Sequence, residues 1–106
     1  MDWNDKDYCL AAVRQNGFSL NYVEEQTLEI CLAAVRQNGL ALQYVKNQND
    51  KICLAAVKQN GWALQFVNNQ TLDICLAAVN QNRYAFKFIN KEKFPDVYTY
   101  YKLLYT

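Results

Sequence analysis

Four cysteines have the most reactive side chains of this chain, and they recur at a constant interval. They are Cys9, Cys31, Cys53 and Cys75, and successive cysteines are 22 residues apart (31 − 9, 53 − 31 and 75 − 53). Each one begins the same phrase, Cys-Leu-Ala-Ala-Val, in which cysteine behaves as a small buried hydrophobe. The sequence contains no close pair such as Cys-x-x-Cys. We therefore interpret the cysteines as core positions rather than as a redox or zinc site.

Catalytic chemistry has few other candidates in the sequence. There is no histidine, which excludes catalytic sites with an imidazole base and metal sites with imidazole ligands. The three glycines each follow an asparagine, and none belongs to a phosphate-binding loop. The adjacent carboxylates Glu24 and Glu25 lie in a polar turn. The sequence predicts that the protein is not an enzyme and uses no cofactor or metal.

The composition is that of a folded domain without a strong overall charge. Of 106 residues, 52% are hydrophobic and 20% are charged, and the net charge is +1, which gives no field that would attract nucleic acid or anionic lipid. We detect no signal peptide and no membrane-spanning stretch. If the cysteine phrases stack as packed helices, their Cα atoms lie about 9–10 Å apart, too far for disulfides. Four reduced thiols predict a reducing, cytoplasmic location.

A fixed spacing of 22 residues is the signature of a stacked repeat. Good N-cap residues lie a few positions before each cysteine phrase: Asp5, Thr27, Asn49 and Thr71. An Asn-Gly step follows the first three phrases, and a glycine in the left-handed conformation can end a helix. We therefore expect a helix of ten or eleven residues in each unit. In the second unit its buried face should contain Leu28, Cys31, Leu32 and Val35, with Ile30 and Ala34 on a second apolar strip.

A shorter apolar phrase follows, and its second-unit copy is Leu-Gln-Tyr-Val at 42–45. The spacing of its apolar residues favours a short second helix over a strand, which would alternate strictly. The predicted fold is all-α, a solenoid of four 22-residue helix–turn–helix repeats over residues 1–93, with units starting near 5, 27, 49 and 71. One unbroken helix, as a right-handed coiled coil or a lipid binder, is the alternative because 22 is twice 11. The N-caps and Asn-Gly steps oppose it.

The last unit and the tail depart from the repeat. Arg83 stands where the earlier units have glycine. A left-handed arginine costs about 1 kcal/mol or more, so we expect this junction to bend differently. Residues 94–106 predict a C-terminal capping helix with Pro95 near its start. Its packed face should contain Val97, Tyr100, Tyr101 and Leu104.

Two amide positions are identical in all four units. They are Gln15, Gln37, Gln59 and Gln81, followed directly by Asn16, Asn38, Asn60 and Asn82. Stacking would align every 22nd residue, and buried amides that bond the turns of neighbouring units would explain the identity. Ligand binding by these amides is the alternative.

A variable position lies two residues after each asparagine. We call its residues the apolar ladder: Phe18, Leu40, Trp62 and Tyr84. Basic residues precede it in the first three units, and we call them the basic row: Arg14, Arg36 and Lys58. If exposed, these aromatic and basic side chains have the composition of an interaction hot spot. Otherwise the ladder fills gaps between the two helices. These seven residues are the candidate partner-binding site.

The string Leu-Ala-Ala-Val-(Arg/Lys)-Gln-Asn-Gly-x-Ala-Leu, at Leu32 to Leu42 and Leu54 to Leu64, resembles a known family of short repeats. That family is a domain of unknown function, abundant in giant DNA viruses of amoebae and found in some protists and bacteria. The resemblance covers roughly residues 5 to 90. It implies a helical repeat fold and a giant-virus or protist setting, with the host-cell cytoplasm as the location if the chain is viral. It brings no catalytic residues.

These observations favour a non-enzymatic scaffold that binds another protein along its repeat surface, as solenoids generally do. Single-stranded RNA binding, with one base stacked per repeat, is the alternative, and the near-neutral charge opposes it. Lipid binding and catalysis rank lower, and no membrane partner is expected. The chain is expected to be a monomer or to associate end to end. For stability, we predict that Leu54→Ala costs about 2–5 kcal/mol and that Gly61→Ala is destabilising.

Overall fold

The computed structural model describes residues 2–106 as a row of alternating α- and 3₁₀-helices followed by a last α-helix. In chain order these are α1 (Lys6–Gln15), η1 (Gly17–Tyr22), α2 (Leu28–Gln37), η2 (Gly39–Tyr44), α3 (Asp50–Gln59), η3 (Gly61–Phe66), α4 (Leu72–Gln81), η4 (Arg83–Phe88) and α5 (Pro95–Tyr105). Each α-helix and the 3₁₀-helix after it form one repeat, numbered 1 to 4. Neighbouring repeats pack together in a row of 49 × 21 × 16 Å. The predicted all-α stack is confirmed.

The four repeat α-helices begin at side-chain caps, as the sequence predicts. The Thr27 hydroxyl accepts a hydrogen bond from the Ile30 amide, and the Asn49 side chain accepts one from the Ile52 amide. Asp5 and Thr71 cap α1 and α4 in the same way. Each of these helices has ten residues.

The second helix of each repeat is a 3₁₀-helix of six residues, longer than such helices usually are. With three residues per turn, positions i and i+3 lie on the same side. Leu42 and Val45 are spaced in this way, and both are buried. The short apolar phrase is therefore helical, and the i, i+3 pair explains why strict alternation is missing.

The core lies between the α-helices and the 3₁₀-helices of successive repeats. In α2, Ile30, Cys31, Leu32, Ala34 and Val35 are buried as expected. The prediction for Leu28 is wrong, because 45% of its surface is exposed. It borders an open hollow of about 200 Å³ between the first turns of α2 and α3, so solvent reaches it.

Leu54 is half-buried rather than fully buried. It lines a shallow groove on the outer side of α3. The full cost of about 2–5 kcal/mol for a leucine truncation therefore applies to a residue such as Leu64, whose side chain is fully buried, and a smaller cost applies to Leu54.

The junction between the two helices of a repeat differs from the prediction. Asn38 ends α2 in an extended conformation (φ −150°, ψ 111°), and Gly39 is already the first residue of η2. No glycine among residues 2–106 has a positive φ. The prediction of a left-handed glycine is therefore wrong, and so is the expectation that Arg83 bends its junction differently, since Asn82 has φ −149° and ψ 114°.

The C-terminal helix α5 packs on η4 and caps the end of repeat 4. Pro95 is its first residue, as predicted. Tyr98 and Tyr105 each place a ring 6.1 Å from that of Phe86. The half-buried residues of this cap are Phe94, Val97, Tyr98, Tyr101 and Tyr105.

The predicted face of α5 is wrong at two positions. Tyr100 is 62% exposed and Leu104 is 55% exposed. The helix is rotated so that Tyr98 and Tyr105 cover Phe86, and this rotation carries Tyr100 and Leu104 to the solvent side.

Candidate interaction surfaces

The repeated glutamines bind neighbouring repeats to each other. The Oε1 atom of Gln37 accepts a hydrogen bond from the Gly17 amide at 2.6 Å, and Gln59 accepts in the same way from Gly39. Gln81 continues the series with the Gly61 amide at 2.5 Å. The predicted bond between neighbouring units is confirmed for the glutamines. The expected burial is wrong, because their side chains lie at the surface.

The same contact explains why these positions are glycines. A Cβ atom added at Gly17 would lie 2.5 Å from the Ala34 carbonyl oxygen, and one added at Gly61 would lie 2.5 Å from that of Ala78. Gly39 approaches the Ala56 carbonyl in the same way. A side chain does not fit where the backbone of the next repeat comes this close.

The repeated asparagines act within their own repeats, contrary to the prediction. The Oδ1 atom of Asn38 accepts from the Leu40 amide, and that of Asn60 accepts from the Trp62 amide, both at 3.0 Å. Each asparagine is thus the last residue of one helix and the cap of the next. An extended residue between two helices leaves the first backbone amides of the second helix without hydrogen-bond acceptors. The Oδ1 atom of the asparagine is an acceptor for one of these amides.

A second set of glutamines was not singled out from the sequence. These are Gln26, Gln48 and Gln70, the turn glutamines. Gln48 donates from Nε2 to the Phe66 carbonyl at 2.7 Å and accepts at Oε1 from the Asn68 amide at 2.9 Å. It thereby holds the end of η3 against the start of α3. Their 22-residue spacing directly before an N-cap was the available signal.

The cysteines are free and buried, as predicted from their apolar phrase. The Cys53 thiol donates to Oε1 of Gln48 at 3.3 Å. Burial raises the pKa of Cys53 to about 11, and the Asp50 carboxylate adds to the rise. Burial also raises the pKa of Cys75 to about 11, against the opposing effect of Lys93. Neutral, enclosed thiols are poor nucleophiles.

The described part of the chain contains no cluster of metal-ligating side chains. No group of three or more cysteine, aspartate or glutamate side chains comes together in a way that could hold an ion.

The apolar ladder lies at or near the surface, and two of its aromatic rings pack against the next repeat. Phe18 and Trp62 are each 36% exposed, Tyr84 is 42% exposed, and Leu40 is half-buried. The Phe18 ring stands edge-on to Tyr44 with centroids 5.8 Å apart. Phe18 thus fills space between repeats 1 and 2, and part of its ring stays open to solvent.

The Trp62 ring repeats this arrangement one interface further along. It stands edge-on to Phe88, with ring centroids 5.4 Å apart. The edge-to-face geometry fixes the orientation of these two rings, so the fold holds the exposed sides of Phe18 and Trp62 in place.

The basic row lies in grooves between neighbouring α-helices. Arg14 and Arg36 line one groove of about 500 Å³, and Arg36 and Lys58 line the next, of about 440 Å³. No residue of the apolar ladder lines either groove. The basic row therefore borders these grooves, whereas Phe18 and Trp62 border the aromatic residues of the next repeat.

Stacked pairs of an α-helix and a 3₁₀-helix define a helical-repeat protein. A model of the family described as Domain of unknown function (DUF4116) matches residues 27–72 and, again, residues 49–92. Together these matches cover 27–92, more than half of the chain, and the chain belongs to this family. The two matches start one repeat apart (49 − 27 = 22). No curated protein and no solved structure matches the chain.

Among residues 2–106, the helices are too short or too polar for any of them to cross a bilayer.

Proposed function

We propose that this protein is a non-enzymatic helical-repeat scaffold that binds another protein through the apolar ladder. The observation that supports this function is the partial exposure of large apolar rings that the fold already holds in place. Phe18, Trp62 and Tyr84 each expose more than a third of their surface. Tryptophan and tyrosine are enriched in binding hot spots, and a side chain that is fixed before binding loses little further entropy.

The ladder places side chains of different shape at equivalent backbone positions. Asn38 and Asn60, which precede Leu40 and Trp62, have nearly the same φ and ψ. Each repeat therefore offers a different side chain at an equivalent place. Such a surface selects a partner by the order of shapes along it, which suits a protein ligand better than a uniform polymer.

The same proposal includes a reducing, cytoplasmic setting. It is supported by four buried cysteines that are all unpaired, since an oxidising compartment favours disulfides. A giant-virus or protist source rests on the resemblance of the repeat string. A nucleic-acid partner is disfavoured because the net charge is only +1 and phosphate binding requires a basic surface.

The test is to change the ladder without disturbing the fold. Leu40 shows that leucine fits a ladder position, so we choose Phe18→Leu, Trp62→Leu and Tyr84→Leu in one variant. The wild-type chain is used to capture a partner from a eukaryotic cell lysate, and the identified protein is then titrated against both forms. We expect binding to weaken at least tenfold in a variant that still unfolds in one cooperative transition, although the lost ring contacts with Tyr44 and Phe88 lower its thermal midpoint.

A matched control removes apolar surface elsewhere. Leu28 and Leu72 are 45% and 44% exposed on α2 and α4, so the Leu28→Ala and Leu72→Ala double variant should bind normally. Equal loss in the control, equal binding by the ladder variant, or no protein retained by the wild-type chain would contradict the proposal.

A further inference from the structure

The first repeat exposes the surface with which every later repeat binds its predecessor. In repeat 2 that surface receives Gly17. Its amide donates to Gln37 at 2.6 Å, while its Cα lies against the Ala34 carbonyl and the Asn38 side chain. The counterparts in repeat 1, 22 residues earlier, are Ala12, Gln15 and Asn16. We call these three residues the N-terminal socket.

The socket is open. Its three residues line a hollow of about 490 Å³ together with Trp3, Tyr8, Ser19 and Tyr22. The Gln15 side chain is exposed. Gln37, Gln59 and Gln81 each accept a glycine amide, whereas no residue in 2–106 donates to Oε1 of Gln15. Within residues 2–106, the acceptor that binds neighbouring repeats is therefore present in repeat 1 without the glycine amide that it binds elsewhere.

Trp3 covers the adjacent aromatic position. Its ring lies 5.5 Å from that of Tyr22. Tyr44 and Phe88, at the equivalent place in repeats 2 and 4, receive Phe18 and Trp62 from the preceding repeats at 5.8 and 5.4 Å. Trp3 thus stands where the ladder residue of a preceding repeat would pack. It forms one wall of the hollow, and Gln15 in the same hollow stays exposed.

We propose that the N-terminal socket binds the glycine-bearing face of a further repeat of this family on a second protein chain. The incoming glycine amide donates to Oε1 of Gln15, its Cα packs on the Ala12 carbonyl, and its ladder side chain replaces Trp3 on Tyr22. The three interfaces within this chain show that such a face and such a surface are complementary. This end-on contact does not depend on the lateral ladder function.

A second wild-type copy is not the occupant. The outward face of repeat 4 carries Arg83 where the interface requires glycine, and a Cβ at this position meets the carbonyl of the neighbouring helix. The Arg83 guanidinium also lies 5.8 Å from the ring centre of Tyr105 in α5. Arg83 and α5 therefore close repeat 4 within residues 2–106, which opposes end-to-end association of the wild-type chain with itself.

The first experiment supplies the missing repeat in the same chain. Residues 1–4 are replaced by a copy of residues 27–48, so that the copied Gly39 faces Gln15. We expect the thermal midpoint to rise above that of the parent. Gln15→Ala should change the parent by less than about 1 °C and lower the fusion by about 5 °C or more, because it leaves an enclosed amide without an acceptor. A silent Gln15→Ala in the fusion would overturn the proposal.

The second experiment tests binding between chains. The probe is the full chain with Arg83→Gly, Tyr98→Ala and Tyr105→Ala, which opens its last repeat, and with Gln15→Lys, which prevents the probe from binding itself. Sedimentation velocity should show a 1:1 complex with the wild-type chain.

A wild-type chain altered only by Gln15→Lys is the control, and it should bind the probe at least tenfold more weakly. A helical probe that stays monomeric with the wild-type chain, or one that binds both receptors equally, would overturn the proposal. If the probe loses its helical circular-dichroism signal, the proposal is decided by the effect of Gln15→Ala on the thermal midpoint of the fusion.

Discussion

Residues 60–62 and 82–84 form two junctions of the same kind, one inside the row and one at its end. Asn60 and Asn82 differ by about 2° in φ and 1° in ψ, and each accepts a hydrogen bond from the residue two positions later at 3.0 Å. The middle residue is Gly61 in one junction and Arg83 in the other. The turn itself therefore tolerates a side chain, and the neighbouring repeat is what requires glycine.

Exchanging the two residues should give the largest difference between the junctions. Gly61→Arg forces a side chain against the Ala78 carbonyl and should reduce the free energy of unfolding by about 3 kcal/mol or more. Arg83→Gly meets no such neighbour and should cost less than about 1 kcal/mol, through a more flexible unfolded chain and lost contacts with Tyr105. Urea denaturation of both variants measures this, and equal losses would show that the turn requires glycine.

Removing a glutamine acceptor should destabilise the protein in the interior of the row but hardly at repeat 1. The difference in stability should be smaller than for the glycine exchange. Gln81→Ala leaves the Gly61 amide without its partner, which costs about 1–3 kcal/mol. Gln15→Ala removes an exposed side chain and should change stability by less than about 0.5 kcal/mol. Thermal and urea unfolding of the two variants give the comparison. A similar cost for both would mean that the glutamines act within their own helices rather than between repeats.

The buried cysteines should have the smallest effect on stability, and only at alkaline pH. Burial raises the pKa of Cys53 and Cys75 to about 11 from the usual 9.0. The unfolded chain therefore loses these protons first, so the stability they contribute is complete below pH 9 and falls as the pH rises towards 11. Near pH 10 the ionisation of each thiol in the unfolded chain should have lowered the free energy of unfolding by roughly 1 kcal/mol relative to neutral pH.

The check is the pH dependence of urea midpoints between pH 8 and 11. Cys53→Ala should flatten this dependence, and Cys9→Ala, at the first repeat, serves as the matched comparison. The pKa of Cys9 is also raised by burial, together with Asp5 and Asp2. An unchanged slope in the Cys53→Ala protein would show that this thiol does not titrate differently in the two states.

Much of the fold could be predicted because its signals lie within one repeat. Thr27 and Asn49 precede apolar phrases, and a cap bonds to an amide three residues away, so local sequence determines where each helix begins. The 22-residue interval of the cysteines revealed the stack. The glutamine bond between repeats could be inferred because its position never varies.

What could not be predicted depends on residues across an interface. The sequence around Gly61 is compatible with a left-handed helix end, and only the position of the Ala78 carbonyl shows that the glycine serves close packing. The rotation of α5 was missed for the same reason, since Phe86 determines which tyrosines it receives. For the candidate site, the sequence does not distinguish an exposed Trp62 from a packed one, because its ring both packs on Phe88 and faces solvent.

Each repeat contacts only the repeats next to it, and α5 contacts only η4, within residues 2–106. The hydrogen bonds between repeats join residues 18 to 24 positions apart, and the one from Gly17 to Gln37 spans 20. The chain therefore never has to close a long loop to reach its native contacts, and loop closure becomes more costly as the loop lengthens. Low sequence separation of this kind accompanies rapid folding. Further repeats would lengthen the protein without slowing the search for its structure.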